Sequence, residues 1–101
     1  MKLFVVTLLT EEDGFGIELS EQKVFTQFEE MKKFVDESRE EYVKETLGLK
    51  KEEVFFEDLH QDEHGYIKFG NSYGTSTKIE DEDGDNSAEW VVETFNIYYI
   101  V

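Results

Sequence analysis

The chain contains no cysteine and no proline. Without cysteine there is no disulfide, no thiolate nucleophile and no cysteine-built zinc site. With no Pro-rich or Ser-rich linker, no low-complexity tract and no internal repeat, nothing divides residues 1–101, which read as a single domain. Long hydrophobic runs are missing too, so no segment can span a membrane as a helix. "MKLFVVTLLT" opens like a signal peptide, with Lys2 before the apolar run Leu3–Leu9. That run meets Glu11, Glu12 and Asp13 at once, and no small-residue cleavage site follows, so a buried first strand in a cytoplasmic protein is expected. Neither a Walker loop nor G-x-G-x-x-G is present.

Basic residues are also scarce. Ten Lys and Arg face 25 Asp and Glu, a net charge of −15. The excess is uneven: residues 1–51 hold 12 acids and 8 bases, whereas residues 52–101 hold 13 acids and 2 bases. Such a surface repels phosphate backbones and anionic lipid, which argues against direct binding to nucleic acid or membrane. It attracts basic proteins, and proteins that bind nucleic acids are the commonest of these.

Apolar residues are nonetheless plentiful. Hydrophobic residues make up 39% of the chain and aromatics 15%, with nine Phe and five Tyr, and they recur in dense blocks. Large rings bury much area per residue, so one small core is affordable despite 35% charged residues.

The pattern predicts an α+β domain in which one long helix packs on an antiparallel sheet of about five or six strands. Lys2–Thr10 reads as a central strand. "EEDGFG" makes a turn into a second strand at Phe15–Leu19, resuming at Lys23–Phe25. Thr26 and Glu29 match a capping box. Over about residues 27–47, Phe28, Met31, Phe34, Val35, Tyr42, Val43 and Leu47 fall on one helical face. Glu30, Lys33, Glu37, Glu40, Glu41 and Lys44 lie opposite. Gly48 is placed to end the helix in a left-handed conformation. "EVFFEDL" (53–59) and "GYIKFG" (65–70) predict a hairpin, with a short helix over 51–60 as the other option. Thr75–Glu80 and Trp90–Ile100 predict a second hairpin, its last strand central because both alternating faces are apolar. Trp90 and the Tyr98–Tyr99 pair are assigned to the core or a sheet face.

Three motifs look chemical, and each fails on its surroundings. "IEDEDGDNSAEW" (79–90) carries six acids, but an EF-hand register with Gly84 at its sixth position puts Ile79 at the first ligand. Trp90 would then stand where a bidentate glutamate is needed, so the stretch reads as a hairpin tip. "HQDEH" (60–64) fits H-x-x-E-H, yet Gly65 follows directly and the flanks are strands rather than the helices a zinc protease requires. "GNSYG" (70–74) fits the hydrolase G-x-S-x-G, but Ser72 leads into a strand and both histidines precede it. The chain is therefore not read as an enzyme, and no catalytic residue, cofactor or metal site is assigned.

The acidity itself remains to be explained. A charge of −15 exceeds the range of about 2–8 that serves solubility in a small domain. A 30 Å face of duplex DNA shows roughly 18 phosphates. The thirteen acids of the second half approach that order: Glu52, Glu53, Glu57, Asp58, Asp62, Glu63, Glu80, Asp81, Glu82, Asp83, Asp85, Glu89 and Glu93, opposed only by Lys68 and Lys78. They are the predicted partner-binding residues, imitating nucleic acid before a basic protein such as a nuclease. In composition the chain resembles small acidic inhibitors of phages and mobile elements, of the anti-CRISPR or anti-restriction type, and nuclease-toxin immunity proteins. The likeness covers no diagnostic motif. A plain acidic interaction domain without a catalytic role is the other reading.

Overall fold

The computed structural model describes residues 1–98. Seven strands form two antiparallel sheets, where the sequence predicts one. The larger is built from β1 (Lys2–Glu11), β2 (Ile17–Phe25), β6 (Ser76–Glu80) and β7 (Ser87–Asn96), in the order β2-β1-β7-β6. The smaller joins β3 (Leu59–Gln61), β4 (Ile67–Phe69) and β5 (Ser72–Tyr73). β1 and β7 are central, as their apolar character on both faces predicts. Tyr99 and Ile100, placed in the last strand by the sequence, lie outside the described residues. Tyr98 is exposed rather than packed, while Trp90 is fully buried.

α1 (Phe28–Glu45) crosses one face of the larger sheet. Met31, Val35 and Val43 are fully buried against Phe4, Val6, Trp90 and Val92, and each such large side chain contributes roughly 1.5–3 kcal/mol. Phe28 meets Phe4 edge-on at 6.0 Å, and Tyr42 meets Trp90 edge-on at 5.9 Å. The indole N–H of Trp90 donates to Ser38 Oγ at 2.8 Å, satisfying the one polar atom of the largest core ring.

The capping box does not form. The cap falls one residue late, on Gln27, and no side chain caps the first turn. Glu29 thus lies in the first turn, one position short of where a box partner must stand. The C-terminus behaves as predicted: Gly48, at φ +67°, turns the chain so that Leu49 N–H donates to Val43 C=O at 3.0 Å.

The expected strand over 53–59 is also absent. Lys51–Glu53 makes one 3-10 turn, and residues 54–58 run extended without a ladder partner. Side chains of α1 take the ladder's place: Arg39 Nη1 donates to Glu57 C=O and Lys32 Nζ to Leu59 C=O, both at 2.8 Å. Val54 and Phe56 pack inward while Phe55 is exposed, so the alternation is that of a strand although its hydrogen bonds are not. β3 and β4 pair only from Leu59 to Phe69, across a five-residue turn that lies two residues later than the sequence predicts.

Candidate protein-binding surface

The uneven charge of the two halves of the sequence is not the charge pattern of the molecule. β1 and β7 run antiparallel with Glu11 opposite Ser87, so the β1–β2 and β6–β7 turns emerge at the same end. They are tied together there. Gly14 N–H donates to Asp85 C=O at 3.1 Å, and Asp13 N–H to Asn86 Oδ1 at 3.2 Å. Asp13 accepts a φ of +52° to make this contact, a conformation that aspartate tolerates better than most residues.

Within the β6–β7 turn, Asp81 is a structural residue. Its carboxylate accepts Asn86 Nδ2 at 2.9 Å and Asn86 N–H at 3.3 Å, and its C=O accepts Gly84 N–H at 3.1 Å. The Asn86 side chain first, and then the backbone N–H groups of Asn86, Gly84 and Asp85, hold the Asp81 carboxyl below its usual pKa. Gly84, at φ +74°, closes the turn, and Glu82, Asp83 and Asp85 project into solvent.

Next to the turn lies a groove of about 340 Å³. Leu47, Leu49, Val54 and Ile79 form its apolar side, and the run Glu80–Asp83 forms the other. The exposed Glu52 and Glu53 precede Val54. A second groove, of about 260 Å³, brings Glu12 and Glu21 to face Glu41 and Glu45 of α1 across Tyr42. Burial raises the Tyr42 pKa, and the charges of Asp81 and Glu12 raise it further, as a negative local potential requires.

The thirteen predicted acids therefore separate. Glu52, Glu53, Glu80, Asp81, Glu82, Asp83 and Asp85 gather at this acidic end. Glu57 and Asp58 are both engaged: Glu57 Oε1 accepts Thr77 Oγ1 of β6 at 3.1 Å, and Asp58 pairs with Lys32 of α1 at 3.2 Å. Asp62 and Glu63 occupy the β3–β4 turn, whose Gly65 lies near Lys2, at the far end of β1. Burial alone would raise the Asp62 pKa, but N–H groups of Tyr66 and His64 and the hydroxyl of Tyr73 at 2.9 Å outweigh it and hold the carboxyl low. Glu89 and Glu93 sit on the face of the larger sheet away from α1.

Glu12, Asp13, Glu21, Glu41 and Glu45 belong to the acidic end and were not singled out from the sequence. Their runs are visible in it, but the antiparallel pairing of the first and last strands is what brings Glu12 and Asp13 beside the 79–90 turn, and the packing of α1 on the sheet adds Glu41 and Glu45.

His60 lies in β3 and His64 in the following turn, so the helical geometry of a zinc protease is absent. Ser72 is in β5, not at a strand-to-helix elbow. Among the described residues, no three His, Cys, Asp or Glu side chains converge to hold a metal, and no helix is long and apolar enough to cross a membrane. Comparison with protein-family models, curated proteins and solved structures finds no match to the chain.

Proposed function

We propose that this protein is an inhibitor that binds a basic protein, a nuclease or another nucleic-acid-binding protein, and occupies the site where phosphates would lie. The reading rests on one observation, the tying of the β1–β2 and β6–β7 turns into one acidic end by Gly14–Asp85 and Asp13–Asn86. Carboxylates held on a fixed backbone present their charge without first being ordered, which favours fast, electrostatically steered association. The long axis of the molecule is 51 Å, a length over which duplex DNA carries about 30 charges. The 25 carboxylates are of that order. An anti-defence protein of a phage or mobile element, of the anti-CRISPR or anti-restriction kind, is one version of such an inhibitor. An immunity protein that guards against a nuclease toxin is the other.

The test is capture of partners from host lysate at low salt, with elution by duplex DNA or RNA. A basic nucleic-acid-binding protein should elute, and a variant carrying Glu82→Gln, Asp83→Asn and Asp85→Asn should capture less of it. Asp81 is left intact because it builds the turn. Partners indifferent both to nucleic acid and to the triple variant would overturn the reading.

A further inference from the structure

The larger sheet has two faces, and α1 covers one. In an antiparallel pair, residues directly opposite share a face. On the other face Val5 lies between Val24 and Glu93, Leu9 between Leu19 and Glu89, and Glu11 between Ile17 and Ser87. Ile17 is 71% exposed, Leu19 61% and Val24 60%. They share a face only because of a bulge: Leu8 pairs with Glu21 and Leu9 with Leu19, leaving Ser20 without a partner. An extra residue in a period-two strand reverses its facing, so the bulge places Ile17 and Leu19 in line with Val24. Among the described residues no element lies over this face.

We infer that this uncovered face docks a partner protein that lays across it an apolar strip bordered by lysine or arginine. The inference rests on the reading of the chain as a binder of basic proteins, and moves the seat of binding from the turns to the sheet. Two properties of the face select that occupant. The β1–β2 side is apolar apart from Glu11 and the hydrogen-bonded Thr7–Gln22 pair, whereas β7 and β6 add Glu89, Glu93 and Glu80 against the single Lys78. Among the described residues Glu89 and Glu93 have no ion-pair partner, so their charge is available to a cation. A second copy of this chain fits badly. Stacked sheets sit about 10 Å apart, which would bring two acidic columns and two chains of −15 together. Nucleic acid and anionic lipid are repelled for the same reason.

The size is adequate. Three strands of about ten residues and the five-residue β6, spaced ~4.8 Å apart, cover roughly 550 Å². Docking would thus bury about 1,100 Å² in total, above the roughly 1,000 Å² that a specific interface should clear. The exposed Ile17, Leu19 and Val24 form the apolar part of this face, and an apolar patch with a polar rim is the usual mark of an interaction site.

The test uses the labelled full chain in a nuclear magnetic resonance titration at physiological salt with two synthetic peptides. One alternates Leu and Lys; the other replaces each Leu by Ser and keeps the lysines. The Leu-Lys peptide should bind at least about tenfold more tightly, the equivalent of burying two methylene groups. It should shift the amides of Val5, Leu19 and Val24. The Leu19→Ser, Val24→Ser double variant should lose that preference and keep its affinity for the Ser-Lys peptide. Equal binding of both peptides, with shifts confined to residues 79–90, would overturn this inference and leave the acidic-end reading standing. Binding of neither peptide would sink both. A dimer in solution that Leu19→Glu dissociates would assign the face to a second copy instead.

Discussion

The two faces of the larger sheet are built by β1 from almost the same residues. Phe4, Val6 and Leu8 point to one side, and Leu3, Val5 and Leu9 to the other. Their neighbours differ. Beneath α1, β7 supplies Ala88, Trp90 and Val92, all buried; opposite, it supplies Glu89, Val91 and Glu93. Alternation within one strand says that both sides are apolar. It does not say which side a helix covers, and that decides which residues carry stability and which remain available to a partner.

Substitutions on the two faces should therefore separate sharply. Trp90→Ala removes a fully buried ring and its bond to Ser38 and should cost about 3–5 kcal/mol in chemical denaturation. Leu19→Ser, at the same level of the sheet on the other side, should stay within about 0.5 kcal/mol. Equal losses would mean that the second face is covered after all. Arg39→Ala comes next, at about 1–3 kcal/mol, because it strands the Glu57 carbonyl that residues 54–58 offer to the helix. A neutral result would show that this segment is held by Val54 and Phe56 alone.

A smaller effect should distinguish structural acids from displayed ones. The Asp62 and Asp81 carboxyls lie below their ordinary pKa of 3.8 in the folded protein. Their stabilising contribution is present above the unfolded value and is lost as pH falls through the lower folded one. Denaturation midpoints of the wild type and an Asp62→Asn, Asp81→Asn variant should differ by a constant amount at neutral pH and converge below about pH 4. For Glu82→Gln with Asp83→Asn no such convergence is expected. Smallest of all, the melting temperature should rise with moderate NaCl as screening relieves the repulsion of a −15 chain. A flat curve would mean that the acids are too far apart to strain the fold.

Much of the architecture was legible because it depends on local period. The helix, its left-handed end at Gly48 and the central first and last strands follow from spacing alone. The misreadings share a cause. Residues 54–58 alternate as a strand does, but Arg39 from α1 meets the Glu57 carbonyl and Lys32 the Leu59 carbonyl just beyond, and no local pattern announces a cation serving as a strand partner. Arg39 is itself 3% exposed within the buried stripe of the helix, a place that its chemistry does not advertise. The division into two sheets depends on pairing, to which a period-two signal is blind. The candidate surface was legible as charge but not as shape. Asp62 and Asp81 count among the acids of the sequence, yet their carboxylates point at their own turns, while Glu12 and Asp13 arrive from the other end of the chain.

The pairing of β1 with β7 also bears on how the molecule is made. Lys2 lies opposite Asn96, so the central ladder of the larger sheet joins segments separated by nearly the whole described sequence. During synthesis the first hairpin and the helix can form early, but the side of β1 that faces β7 keeps its hydrogen-bonding groups open until Ser87–Asn96 has left the ribosome. Sheets that depend on such distant pairing form slowly. The nascent chain consequently carries an unpaired, apolar strand edge until residues 87–96 emerge, the kind of edge that pairs with other chains when it is left open.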